Sequence, residues 1–193
     1  MPLQEDELRT CLAAANESLL AIQIAYGREN APEARIRFPR GWIRTAATLR
    51  QTLPNMGTPL ERRNASYALL GLEPMRWLAV RTDISNAALS MIVKQMIAIL
   101  GSLLEWFVRV PTRDRRGRHS FNKRSQMLVA LGIFDEEQKA EIDWVWSKRS
   151  VGLHLHLPIA LEHEGYTRAD WNRAAAAYVS ARKSLVDLHG SAP

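Results

Sequence analysis

Apolar residues recur at helical intervals along most of the chain, and the polar residues between them carry helix-start signals. Leu8, Cys11, Leu12, Ala15, Leu19, Ile22 and Ile24 fall near helical spacing and predict an amphipathic helix over roughly 4–26. Residues 27–40, GRENAPEARIRFPR, hold turn formers and two prolines and predict a loop or linker. A short helix is expected at about 41–53, ended by Pro54. Thr58-Pro59-Leu60-Glu61 combines an N-cap threonine, a proline in the first helical position and a glutamate that closes a capping box. The helix it opens is expected to reach about Leu70, with another from Pro74 to Arg81. Asp83 is placed to cap a long apolar helix that runs to about Val108 and is halted by Pro111. A shorter helix near 121–131 ends at Gly132, Asp135-Glu136-Glu137-Gln138 opens the next, and Thr167-Arg168-Ala169-Asp170 opens the last, which closes at Gly190.

Strand patterning is poor. Only Ala34–Phe38 and Val151–Leu157 alternate, and the two are short and distant in sequence. The expected fold class is all-α, with an N-terminal helical extension over 1–82 and a helical bundle over 83–193. The stretch KRSVGLHLHLP, 148–158, stays open between two readings. As a helix it brings Arg149 and one or two histidines towards one face; as a strand it alternates Val151, Leu153, Leu155 and Leu157 with Gly152, His154, His156 and Pro158.

Composition narrows the class. A chain of 193 residues with 47% hydrophobic content can build a true core, and its single cysteine, Cys11, read as a core residue, allows no disulfide framework within one chain. The polar, acidic start MPLQEDELRT is unlike a secretory signal, and a cytoplasmic location is expected. The stretch Ile84 to Leu104 is long enough to raise a membrane span, but Lys94 lies near its centre, where a charge costs about 3 kcal/mol. A buried core helix and no membrane partner is the expectation. The tryptophans sit mostly on helical stripes and read as core. Net charge is +6, and the segment 109–124, RVPTRDRRGRHSFNKR, carries seven basic residues and one acid, enough to account for all of it. Arg113, Arg115, Arg116 and Arg118 form its centre and are the candidate nucleic-acid contacts, with RNA the expected polyanion. A solvated loop or an acidic protein partner is the alternative.

The helix that opens at Asp135 carries a stripe through Ile142, Trp146, Arg149, Leu153 and His156, in steps of four and three. Seven residues turn an ideal helix through about 700°, so Arg149 and His156 lie within about 20° of one another. His154 lies about 140° from Arg149 and needs a kink or helix end to converge, which Gly152 or Pro158 can supply. An arginine in an apolar stripe marks an interface, a buried pair or an anion site, and Glu105 is a candidate partner. His154 and His156 with Glu162, His163 and Glu164 fit no tetrahedral metal pattern, so neither metal nor cofactor is expected.

Arg149-Ser150-Val151-Gly152-Leu153-His154 resembles the R-x4-6-H motif of the HEPN superfamily, and Arg149 to His156 fits the same motif at its longest spacing. The helix order over 83–189 is similar too, so the resemblance covers about 105 C-terminal residues. It implies an antiparallel helical bundle and a metal-independent endoribonuclease in which two chains pair their motif helices. Arg149 would stabilise phosphate charge, His154 or His156 would move the proton, and Ser150 would orient them. Ser150 stands where active members carry Asn, Asp or His. The resemblance therefore also implies an alternative, a catalytically inactive module that binds nucleic acid or protein. A toxin or anti-phage defence effector, with an antitoxin or defence-system partner protein, is the context that such a homodimer suggests.

Overall fold

In a computed structural model of the chain, the described residues are 4–29, 35–37, 40–114, 117–152 and 165–192. They form two compact units, Met1–Arg40 and Gly41–Pro193. Among them are seven α-helices and no strand, and the fold is all-α.

The first unit holds helix α1, Glu5–Tyr26. A reciprocal capping box between Gln4 and Glu7 starts it, and three acids in its first turn complement the helix dipole. None of its residues is buried, so Cys11 is an exposed thiol and not the core residue its spacing suggests.

The second unit begins at Gly41, within the 3₁₀ turn Arg40–Trp42, and continues with α2, Ala46–Arg50. The expected helix over 41–53 is thus broken, because Thr45 caps a new start by accepting the Thr48 N–H. Helix α3 runs unbroken over Pro59–Arg81 and is opened by the expected Thr58/Glu61 capping box. The expected break between Leu70 and Pro74 does not occur. A mid-helix proline costs about 3 kcal/mol. Leu69, Leu72 and Ala79 bury their side chains on either side of it, and each buried leucine returns about 1.5–3 kcal/mol.

Helix α4, Asn86–Arg109, is the central element. Its N-cap position is Ser85 in place of the expected Asp83. Four further helices pack on it: α3, α5 (Phe121–Ala130), α6 (Glu136–Gly152) and α7 (Arg168–His189). By length and composition α4 could cross a membrane, yet 44% of its most apolar window is buried inside the bundle. Its Met96, Ile97, Leu104, Phe107 and Val108 are fully enclosed, together with Leu128, Ile142, Val145, Ala181 and Leu185 from the helices around it. That closure is the reason Asn86–Arg109 reads as a core helix.

The chain end is stitched to the loop before α3. Ala192 N–H donates to the Leu53 carbonyl and Asn55 N–H to that of Gly190, each at 2.8 Å. Helices α2 and α3 therefore belong to the same compact unit as the C-terminal helices, and the boundary expected at 82/83 falls inside it. Of the two alternating stretches, 35–37 is irregular, and Val151–Gly152 closes α6; Leu153–Leu157 lies outside the described residues.

Candidate functional site

Helix α6 carries Arg149, and its position is fixed from both ends. At the start, Asp135 and Gln138 exchange side-chain to backbone hydrogen bonds at 2.7 and 3.1 Å, as the sequence signal implies. Gln138 Nε2 also donates to Ser180 and Ser184 of α7. At the far end, Lys148 Nζ donates to the Gly165 carbonyl and pairs with Asp170, while Tyr166 Oη donates to the Lys148 carbonyl. Ile142 and Val145, fully buried between these anchors, turn the Arg149 face towards α4.

Arg149 meets three groups. Its methylene stem lies against Gly101 of α4, so closely that a Cβ there would sit 2.8 Å from Arg149 Cδ. Its guanidinium lies 4.4 Å from the centre of the Trp146 ring, and that indole stacks on Phe121 of α5 at 4.5 Å with the rings almost parallel. Glu105, one turn beyond Gly101, faces it at 3.6 Å, so the suspected partnership exists as a long ion pair. The Arg149 side chain is 21% exposed, and its Nε–H is buried with no hydrogen-bond partner among the described residues. A guanidinium offers five donors in a fixed fork. At 3.6 Å the carboxylate neutralises the charge without fully satisfying that fork. The C-terminal turn of α6 adds a favourable dipole for a cation.

Ser150 follows on the same turn and is half-buried. His154 and His156 lie outside the described residues, so the histidine partner of Arg149 is not placed. Among the basic residues, Arg113 and Arg118 are exposed, and Arg115 and Arg116 lie outside the described residues. Asp114, the single acid of that segment, is buried and folds the loop back on itself. Its carboxylate accepts the backbone N–H groups of His119 and Arg118, each at 2.9 Å. These bonds hold the Asp114 carboxyl below its ordinary pKa. Arg113 takes a left-handed backbone, φ 55°, beside it.

Several features escape sequence reading. Arg44 grips the buried Glu73 through Nη2 at 2.7 Å, Nε at 3.3 Å and its own backbone N–H at 3.2 Å. Ser125 of α5 donates to Asp143 of α6, which also pairs with Lys139. Trp42 is 57% exposed and tilts against Trp77, with Arg81 over its ring, so it is not core. A cleft of about 350 Å³ between α3 and α4 is lined by Asn64, Ser102, Glu105, Trp106 and Arg109 among others, next to the carboxylate that faces Arg149. No sequence signal marks this cleft, which exists only where α3 and α4 pack side by side.

Compared with known proteins, the chain matches no family model, no curated protein and no solved structure.

Proposed function

We propose that the chain is a HEPN-like, metal-independent endoribonuclease that acts on RNA as a homodimer in the cytoplasm, in the manner of a toxin or defence effector. The observation that carries this reading is the state of Arg149: a guanidinium in the last turn of its helix, partly open to solvent, with a buried Nε–H that no described residue satisfies. The solvent-open part of such a guanidinium is suited to a non-bridging phosphate oxygen. In the reaction the ribose 2′-OH gives up its proton to the imidazole of His154 or His156 and its oxygen bonds to the adjacent phosphorus. The P–O5′ bond breaks, the leaving oxygen takes a proton, and a 2′,3′-cyclic phosphate and a 5′-OH remain. Ser150 orients the pair. Arg113, Arg115, Arg116 and Arg118 gather the RNA backbone.

The test is cleavage of RNA by purified protein in EDTA, with the cyclic phosphate identified at the new 3′ end. Arg149→Ala and the correct His→Ala variant are each expected to slow cleavage by about 10²–10⁴-fold. Whether His154→Ala or His156→Ala does so decides the spacing, and Ser150→Asn keeps or raises the rate. Absence of cleavage on every RNA, with wild type and variants alike, ends the enzymatic reading.

One observation favours a second reading, an inactive module that binds nucleic acid or protein. Glu105 already faces Arg149, and the stem of Arg149 is packed into the notch at Gly101. Glu105→Gln separates the two. A site for phosphate binds RNA more tightly once the competing carboxylate is gone, whereas a strut between helices only loses stability.

A further inference from the structure

Helix α1 shows an apolar seam with no partner for it among the described residues. Leu8, Leu12, Ala15, Leu19, Ile22 and Tyr26 follow one another in steps of four and three, the a/d spacing of a coiled coil. Leu12 and Leu19 are 54% and 44% exposed, and no residue of the helix is buried. A 22-residue helix is about 33 Å long, and most helical stability comes from packing an apolar face.

We propose that α1 pairs with α1 of a second copy in an antiparallel, two-fold seam. The residues register without adjustment about a centre at position 17. Leu8 meets the second copy's Tyr26, Leu12 its Ile22, and Ala15 its Leu19, so every a position faces a d position. The positions flanking this seam are Arg9, Asn16 and Gln23 on one side and Cys11, Ser18 and Ala25 on the other. Arg9, the one charge among them, is already paired with Glu5 at 2.7 Å, so no like charges meet. Glu17 points away from the seam.

Charge selects the direction. A parallel pair would gather both first turns, with Glu5, Asp6 and Glu7 from each copy, at one end. The antiparallel pair sets the two acidic first turns at opposite ends and opposes the two helix dipoles. This seam is separate from the motif-helix pairing of the proposed function and stands whether or not RNA is cut.

The test uses the full chain and its single cysteine. Sedimentation should show a mass rising towards twice 21.9 kDa with concentration. Spin labels on Cys11 should report two backbones about 20 Å apart: twelve residues of axial offset at 1.5 Å each, with the helices about 9 Å apart. Leu12→Glu with Leu19→Glu should abolish that distance. Leu20→Glu with Ile24→Glu, which removes two still more exposed apolar side chains off the seam, should leave it intact. Circular dichroism on the same variants shows whether α1 remains helical, and Leu12→Asn with Leu19→Asn gives a milder loss of the distance where the glutamates unfold it. A chain monomeric at every concentration, a separation near 10 Å with ready Cys11–Cys11 oxidation, or equal sensitivity to off-seam changes would each overturn the proposal, and with it the choice of a second copy over a membrane surface or another protein.

Discussion

Gly101→Ala tests how tightly Arg149 is held between α4 and α6. In an ordinary helix this change stabilises by about 1 kcal/mol, because alanine restricts the unfolded backbone and favours the helix. Here the added Cβ would lie 2.8 Å from Arg149 Cδ, 3.0 Å from its Cβ and 3.2 Å from its Cγ. The Cβ is fixed to the backbone of α6, so a rotamer change relieves only the outer contacts and the helices must also part by a few tenths of an ångström. Overpacking of this kind costs about 1–3 kcal/mol. Moving the stem also lifts the guanidinium from Trp146, worth about 0.5–1 kcal/mol, and lengthens a partly exposed pair with Glu105 that is worth at most about 1 kcal/mol. The losses exceed the helical gain, and the expected net effect is a destabilisation of about 1–3 kcal/mol.

Denaturant unfolding followed by circular dichroism measures it, since any change in tryptophan emission also reports the displaced guanidinium. The same substitution in an Arg149→Ala background keeps the Cβ contact but loses the Cγ and Cδ contacts, so its cost should fall by about 1 kcal/mol or more, a coupling read from the double-mutant cycle. A Gly101→Ala protein as stable as wild type or more so, with zero coupling to Arg149, refutes the reasoning.

Other outcomes follow from single interactions. Tyr178 stacks on Phe107 with a buried hydroxyl that lacks a hydrogen-bond partner among the described residues, and burial pushes its pKa up to about 12 against the pull of Arg182 and Arg44. The folded value exceeds the unfolded one of about 10, so this stability is whole below that pH and is lost as pH rises towards the folded value. Tyr178→Phe should raise stability by about 1 kcal/mol in neutral denaturation and blunt the alkaline loss; a destabilised variant contradicts the reading. At the acid end, burial raises the Glu73 and Asp170 carboxyls, but hydrogen bonds and charge from Arg44 and from Thr167 and Lys148 outweigh it and leave both lowered; Arg173 lowers Glu141. Depressed carboxyls give stability that is present above their unfolded pKa of about 4 and lost as pH falls through their folded values, so denaturation midpoints should drop steeply below about pH 4, and a flat profile to pH 3 contradicts it. Arg44→Ala strands the buried Glu73 carboxylate; with Arg44 itself half exposed, the expected cost is about 1–2 kcal/mol by thermal melting, and no change would show that water serves Glu73 as well. Thr58→Ala removes one arm of the α3 capping box and should cost about 1 kcal/mol.

What the sequence made legible was local. The capping boxes at Thr58/Glu61 and Thr167/Asp170, and the reciprocal bonds of Asp135 and Gln138, need only residues three apart, and all three form. The Glu105–Arg149 pair was legible from an arginine in an apolar stripe that required an acid somewhere. What failed depended on packing from afar. Pro74 signals a helix break, yet burial on both sides of it keeps α3 whole. Leu49 and Leu53 look like an isolated helix end until the chain terminus crosses over them at Ala192. Cys11 lies on a helix with no buried residue, and Trp42 ends a 3₁₀ turn rather than joining an apolar helix face.

Gly101 shows the same limit at the site itself. Within an apolar helix it reads as a small neutral residue, and only the approach of α6 gives it a role. Its missing side chain lets the Arg149 stem lie flat on α4, which brings the guanidinium over Trp146 and leaves it 3.6 Å from Glu105. A bulkier residue would push the stem off α4 and lengthen the pair with Glu105. The close packing holds the arginine where it is. It keeps the charge near its counterion and the Nε–H without a described partner, the combination from which either an anion site or a strained strut follows. The difference between those two lies in which group the fork finally meets, and Glu105→Gln removes one of the contenders.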